Sequence, residues 1–217
     1  MNGGRMSTSR KVGGNETNAR HRLMQATAAI MREEGYAAAT SRRVAAKAGV
    51  RQALVYYYFP TMDDLFLAVL RSGTEIYLER QRHALTESDP LRALWRISAE
   101  AHITGLNTEF MALANHRKVI RAELKAYIER VRDIETTALT VALRANGVDL
   151  TEFPPVVMSM FRSALARVMV DEKAIGVDLG HEEAFRFMER YIDRFDSLTV
   201  PSDLTPDDPS AEQNPTG

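Results

Sequence analysis

Apolar residues recur along this chain at intervals of three and four residues, and no stretch of useful length alternates with a period of two. Intervals of three and four put apolar side chains on one face of an α-helix, whereas a half-buried strand needs strict alternation. The pattern therefore predicts an all-α protein. It divides into predicted helices over about 17–34, 41–48, 51–58, 61–85, 90–106, 109–114, 116–145, 155–174 and 181–198.

Both ends of the chain differ from this helical middle. Residues 1–16 are polar and basic and are predicted to form a flexible arm, and the acidic, proline-containing tail over 199–217 is predicted to be disordered. No apolar run approaches the roughly 20 residues that span a bilayer. The N-terminus has no apolar core of a secretory signal, so we expect a cytoplasmic protein without a membrane partner.

Charge is distributed unevenly. The formal net charge is only −1, but residues 1–60 contain ten basic and three acidic residues, a net of +7, which leaves −8 for residues 61–217. Such a split is typical of a polyanion-binding module joined to another domain. The chain has no cysteine, which excludes disulfides and thiolate metal sites.

Residues 40–59 read T-S-R-R-V-A-A-K-A-G-V-R-Q-A-L-V-Y-Y-Y-F, which indicates two short helices separated by a turn that contains glycine. In a helix-turn-helix, the first residues of the second helix enter the major groove of DNA. Arg51 is suited to a guanine edge, Gln52 to an adenine edge, and Ala53 permits close approach or touches a thymine methyl. Arg42 and Arg43 are predicted to contact phosphates or a base at the groove edge.

Three consecutive tyrosines follow. Because successive helical residues are 100° apart, Tyr56, Tyr57 and Tyr58 cannot all face the core. Tyr56 and Tyr57 are predicted to contact the DNA backbone. For Tyr58, contact with the DNA backbone and packing against the protein core are both possible.

This block and its flanks resemble the tetracycline-repressor (TetR) family of transcriptional regulators. The resemblance covers residues 20–70 and rests on E-E-G-Y at 33–36, the block over 40–59, and D-D-L at 63–65. It implies three N-terminal DNA-binding helices, a connecting fourth helix, a ligand-sensing body, and a last helix pair that forms a dimeric four-helix bundle. It also implies DNA contacts at positions that match the following residues: Thr40, Ser41, Arg42, Gln52, Ala53, Tyr56 and Tyr57.

Two residues depart from the family pattern. Met62 stands where members usually have a lysine that contacts phosphate, and Arg51 stands where many members have a small polar residue. The predicted domains are a helix-turn-helix domain over 17–60 and a sensing and dimerisation domain over 61–198.

The last two predicted helices have more apolar surface than one core can cover. A helix that is apolar nearly all round is buried on two sides, and a second copy of the same chain is the simplest partner. Central burial in the same chain is the alternative. The predicted interface consists of Val157, Phe161, Leu165, Val168, Phe187, Tyr191 and Phe195.

A two-fold dimer presents two recognition helices about 34–36 Å apart and therefore reads a near-palindromic double-stranded operator. We expect a repressor that is released by a small, largely apolar ligand. The candidate ligand contacts are Trp95, His102, Asn107, Phe110, Met111, Arg121, Tyr127, Met158 and Phe161. Each of them is also compatible with an ordinary core, surface or capping role.

The alternatives to a ligand-released repressor are a ligand-independent or architectural DNA-binding protein, and an activator. An enzyme is not expected, because the five histidines are scattered and no nucleophile motif or phosphate-binding glycine loop is present. No cofactor and no metal site are predicted.

Overall fold

The computed structural model describes the backbone of residues 9–99 and 101–196 and the side chains of residues 18–99 and 106–194. All regular elements of this part are helical, as predicted. They are α1 (Ser9–Glu34), a 3₁₀ turn (Tyr36–Ala38), α2 (Ser41–Ala48), α3 (Ala53–Tyr58), α4 (Met62–Ala84), α5 (Pro90–Ala99), α6 (Ala101–Ala114), α7 (Lys118–Ala145), α8 (Pro155–Ala174) and α9 (His181–Asp196).

Three predicted boundaries were wrong. Residues 9–16, predicted as part of a flexible arm, belong to α1, because extending an existing helix costs far less than nucleating one. Residues 107 and 108, predicted to separate the fifth helix (90–106) from the sixth (109–114), are helical, since α6 covers Ala101–Ala114. Residue 100, between α5 and α6, lies outside the described residues. Helix α3 begins at Ala53, because the bonds from Leu54 and Val55 to the carbonyls of Arg51 and Gln52 are of the 3₁₀ type. The predicted tail over 199–217 lies outside the described residues.

Helices α1, α2 and α3 form a small helical unit around one buried face. Leu23, Thr27, Ile30 and Met31 of α1 are all fully buried, as their spacing predicts, and Val44 of α2 packs with them. This core continues without interruption along α4 and into α5, α6 and α7. Helices α1 to α3 and the body therefore share packed side chains, so a movement in one can displace the other.

A second, smaller core lies under the last two helices. Leu91 and Trp95 of α5 pack against Ala166 of α8 and against Met188 and Ile192 of α9. This leaves the other faces of α8 and α9 uncovered within the described residues.

A buried polar network joins four helices of the body. The Glu135 carboxylate on α7 forms an ion pair with Arg162 on α8, and Gln81 Nε2 on α4 donates to Glu135 Oε1 at 2.9 Å. The Ser159 hydroxyl also donates to Glu135, and Arg162 Nη1 donates to the Leu94 carbonyl of α5 at 2.7 Å. The network fixes how α4, α5, α7 and α8 are packed together.

Candidate DNA-reading surface and ligand cavity

Local capping determines the angle between α2 and α3. Thr40 is the N-cap of α2, and its side chain accepts from the Arg43 backbone N–H. Gly49 ends α2 in the left-handed conformation (φ 66°), which a residue with a Cβ atom rarely adopts. The chain therefore turns sharply, and the start of α3 comes to lie beside the start of α2.

Ser41 connects these two helix starts. Its hydroxyl oxygen accepts from Gln52 Nε2 at 2.9 Å and from the Tyr56 hydroxyl at 3.0 Å, and Ser41 itself is buried. The residues predicted to read DNA are thus held by one another before DNA arrives. Such preorganisation reduces the loss of side-chain entropy on binding.

The three tyrosines divide as helical geometry requires. Tyr57 is 69% exposed and Tyr56 49% exposed, whereas Tyr58 is half-buried and packs against the core. The rings of Tyr57 and Tyr58 meet edge to face, with centroids 5.0 Å apart. The two exposed tyrosines are therefore available to a partner, while Tyr58 also supports the core.

Two of the four basic side chains on this surface form ion pairs with described residues of α1, and two do not. Arg43 forms an ion pair with Glu34, and Lys47 Nζ lies 2.5 Å from Glu33 Oε2, so α1 supplies acceptors for both. Arg42 and Arg51 are exposed, and neither has an ion pair within the described residues. These last two arginines are free to meet phosphate or base edges, and Arg43 would first have to leave Glu34.

Met62, at the start of α4, is half-buried against the core, so it supplies no cation where the family usually has one. The preceding Thr61 and the following Asp64 form a capping box, in which Asp64 N donates to Thr61 Oγ1 at 3.1 Å and Thr61 N donates to Asp64 Oδ2 at 2.9 Å. This rigid helix start joins the DNA-reading helices to the body.

A cavity of about 410 Å³ lies in the body, a size within the range of small-molecule pockets. Helices α4, α6, α7 and α8 supply most of its wall. Its apolar lining consists of Val69, Leu70, Ile76, Leu106, Phe110, Met111, Ile128, Val131 and Ala166. Its polar lining consists of Arg32, Thr74, Tyr77, Arg80, Ser98, Asn107, Tyr127, Arg132, Ser163 and Arg167.

Four of the predicted ligand residues line this cavity. They are Asn107, Phe110, Met111 and Tyr127. Met158 and Phe161 line a second, much smaller cavity instead.

Two predicted ligand residues, Trp95 and Arg121, do not line either cavity in the described structure. Trp95 is fully buried in the smaller core, where its ring lies 5.9 Å from that of Phe185. Arg121 donates to the carbonyls of Ala114 and Asn115 and so caps the end of α6. The side chain of His102 lies outside the described residues. A ligand role for Trp95 or Arg121 is not supported, because neither side chain reaches the space.

Sequence reasoning missed the contribution of α4. Leu70, Gly73, Thr74 and Tyr77 follow one another at helical spacing, and all of them line the cavity. A glycine beside a threonine on the largely apolar inner face of the helix was the available signal, since small residues leave space.

Two phenols in the cavity wall are strongly desolvated. Burial raises the pKa of Tyr77 and the pKa of Tyr127 above their ordinary value, and their rings meet edge to face at 6.1 Å. The Tyr77 hydroxyl accepts from Gln81 at 3.2 Å and so touches the buried network. Both phenols therefore stay neutral at physiological pH and keep their protons as hydrogen-bond donors.

The uncovered faces of α8 and α9 carry a continuous apolar pattern. Val157, Phe161 and Val168 of α8 are about half exposed, and Phe187 of α9 is 48% exposed and stacks on Tyr191 with centroids 6.0 Å apart. Of the other predicted interface residues, Leu165 is half-buried against the smaller core, and the Phe195 side chain lies outside the described residues. The structure leaves this surface without a covering element from its own described chain.

Two further findings concern the described residues only. None of their helices combines the length and the apolar character that crossing a bilayer requires. Their His, Asp and Glu side chains form no group of three or more that could hold a metal ion.

Comparisons with solved structures show the same fold. A transcriptional regulator from Rhodococcus sp. Rha1 is 21% identical with a TM-score of 0.65, over 84% of this chain and 99% of the other. A TetR transcription regulator from Haloarcula marismortui is 20% identical with a TM-score of 0.65, over 82% and 98%. The fatty acid degradation regulator FadR from Bacillus halodurans is 14% identical with a TM-score of 0.63, over 85% and 96%.

No curated protein sequence matches the chain significantly. Residues 23–69, which span the last 12 residues of α1, all of α2 and α3 and the start of α4, match the model of the family described as bacterial regulatory proteins, tetR family. This segment contains the Thr40 cap, the glycine turn and the Ser41 cluster described above. This N-terminal segment therefore belongs to the tetR family of bacterial regulatory proteins, and the matched part of the chain has the fold of the solved regulators named above.

Proposed function

We propose that the protein is a homodimeric repressor that binds a near-palindromic operator in the cytoplasm and is released by a small molecule in the cavity between α4, α6, α7 and α8. Residues 17–60 would form its DNA-binding domain and residues 61–198 its sensing and dimerisation domain. The observation that carries the proposal is the position of α4, which begins at the DNA-reading helices and lines the cavity two to four turns later.

The DNA-reading part of the proposal rests on Arg51, Gln52 and Ala53 at the start of α3. Gln52 is oriented by Ser41, and Arg51 is exposed beside it. Thr40, Ser41 and the exposed tyrosines would contact the backbone, which positions the protein without reading sequence.

Helix α6 supports a route from the cavity to the DNA. Asn107, Phe110 and Met111 face the cavity, and Glu109 Oε2 accepts from the Tyr36 backbone N–H at 2.7 Å, directly after α1. A ligand that favours one position of α6 or α4 would shift the spacing of the recognition helices by its differential affinity for the two states.

The operator experiment is to sequence genomic DNA fragments captured by the purified full-length protein. A shared near-palindrome with half-sites one helical turn apart is the expected result. Capture without sequence preference at moderate salt would contradict a sequence-specific regulator and favour an architectural DNA-binding protein. The location of the operator relative to the promoter distinguishes repression from activation.

Replacing Arg51 with alanine should relax base preference at one position of each half-site, by about 1–3 kcal/mol of discrimination, because a bidentate contact to one base is lost. Fluorescence anisotropy with the captured operator and its single-base variants measures this. Tyr57→Phe is the matched control, because Tyr57 is predicted to contact only the DNA backbone and lies outside the Ser41 cluster, so losing its hydroxyl should weaken all sequences alike. Equal weakening of every sequence by Arg51→Ala would rule out base reading by Arg51.

Filling the cavity should abolish ligand binding without harming the fold. A Cβ atom added at Gly73 meets no other atom within 4 Å, so phenylalanine at this position can extend into the cavity. Because glycine is a poor helix former, we expect Gly73→Phe to be at least as stable as the wild type in thermal unfolding. The neutral fluorophore N-phenyl-1-naphthylamine, which binds apolar cavities, should bind the wild type and not Gly73→Phe.

Gly73→Ala is the control for this variant, because it removes the same glycine and leaves the cavity open. It should bind the fluorophore like the wild type. Equal fluorophore binding by Gly73→Phe and Gly73→Ala would show that the cavity is not a ligand site.

A further inference from the structure

The cavity has an uneven distribution of charge. Arg32 of α1, Arg132 of α7 and Arg167 of α8 all line it, and no aspartate or glutamate does so among the described residues. Arg80 also lines the cavity but interacts with a further group of the chain, so the positive charge is assigned to the other three arginines.

Nothing within the described residues neutralises these three arginines. Arg32 and Arg167 are exposed at the cavity and form no ion pair there, and half-buried Arg132 donates to the Ser159 hydroxyl at 3.0 Å. Ser159 in turn donates to Glu135, but that carboxylate is already paired with Arg162. A partly desolvated cation whose acceptor is neutral gains energy from an anion that can enter its space.

The wall also supplies a neutral donor. Tyr127 lines the cavity, burial keeps its phenol protonated, and the hydroxyl has no hydrogen bond within the described residues. An O–H donor together with guanidinium groups suits an anionic oxygen acceptor and does not suit a cation.

We propose that the effector is an amphipathic organic anion, an apolar body bearing a single carboxylate or sulfonate group, with its anionic oxygens held by Arg132 and Arg167 and its apolar part between Val69, Phe110 and Val131. This proposal rests on the cavity being the effector site and adds the chemical class of the ligand.

Two fluorophores with the same apolar skeleton test it. 1-Anilinonaphthalene-8-sulfonate carries one sulfonate, and N-phenyl-1-naphthylamine is its uncharged counterpart. The sulfonate should bind the wild type at least tenfold more tightly than the amine, and Gly73→Phe should lose the binding of both.

Arginine variants assign the charge. We expect Arg132→Gln to weaken sulfonate binding by about tenfold and the more exposed Arg167→Gln by about threefold, with binding of the neutral amine unchanged in both. Unchanged amine binding also shows that the cavity is still folded. Arg130→Gln is the matched control, because Arg130 is an exposed arginine of the same helix that does not line the cavity.

The outcomes separate the two proposals. If both fluorophores bind equally and the arginine variants change neither, the cavity binds ligands but the preference for an anion is wrong. If neither fluorophore binds the wild type, the cavity is not the effector site. This result contradicts the proposed ligand response itself, and the preference for an anion falls with it. Decanoate and decan-1-ol as competitors extend the test to carboxylates, and displacement by the alcohol as effective as that by the acid would overturn the proposal.

Discussion

Replacing Glu135 with leucine is expected to lower the free energy of unfolding by about 3–5 kcal/mol, because it leaves the buried Arg162 guanidinium without a counter-charge. Gln81 and Ser159 would also lose their shared acceptor. Urea unfolding followed by circular dichroism measures the loss. The protein concentration is fixed because the proposed dimerisation would make the apparent stability depend on concentration.

The double variant Glu135→Leu, Arg162→Met isolates the cause of this loss. Removing both charges together should recover most of the lost stability, because replacing a buried ion pair with apolar side chains is often nearly neutral. Glu129→Leu is the control on the exposed side of the same helix, where the ion pair with Lys125 is solvated, and it should leave stability almost unchanged. A double variant as unstable as the single one would mean that leucine packing, and not the unpaired charge, causes the loss.

The DNA-reading end could be predicted from sequence because its signals are local. Thr40 caps the helix that follows it, Gly49 permits the turn, and Thr61 with Asp64 starts α4. Each of these caps and turns depends on residues no more than four positions apart, so a short stretch of sequence is enough to predict it. The predicted start of α3 was two residues too early, because the exact first residue of a helix is ambiguous by one or two residues.

The cavity could be predicted only in part because it is assembled from distant segments. Phe110 and Tyr127 were expected, since large side chains on body helices are natural candidates for a lining. Gly73 matters through the space that it leaves. Arg132 and Arg167 matter because no acidic residue joins them in the described cavity lining, which depends on how α7 and α8 pack. The predicted gap between the fifth and sixth helices at residues 107 and 108 was also wrong, because the low helix propensity of Asn107 and Thr108 is a weak signal that tertiary packing overrides within α6.

Arg43 and Tyr58, which were considered as DNA contacts from sequence, both have partners within the protein. These partners make DNA contact less direct but do not exclude it. Arg43 is the right type of residue for a phosphate, yet Glu34, nine residues earlier, already accepts from it. Tyr58 is divided between the core and the surface, as the helical angle alone implied. DNA contact by either residue stays a prediction that the operator measurements can test.

The largest loss of function outside the DNA-reading surface is expected from Phe187→Arg, which should convert the dimer to a monomer and weaken operator binding by about 10²–10⁴-fold. The side chain is about half exposed in one protomer and stacks on Tyr191, so the substitution disturbs the proposed interface more than the fold. In a two-fold interface each substitution occurs twice, and two arginines would face the same apolar surface. A monomer binds only one half-site. It therefore loses the additional affinity that comes from linking two half-site contacts, which is about 10²–10⁴-fold.

Sedimentation velocity gives the oligomeric state, and anisotropy with full and half operators gives the affinity. Val141→Arg is the matched control, because Val141 is an apolar residue of α7 that is 65% exposed and lies outside α8 and α9. Phe187→Arg should bind a half-site about as tightly as the wild type does, since its recognition helix is unchanged, and should lose only the advantage of the full palindrome. A wild-type protein that is monomeric at micromolar concentration, or a Phe187→Arg variant that still prefers the full operator, would show that the dimer does not form through this face.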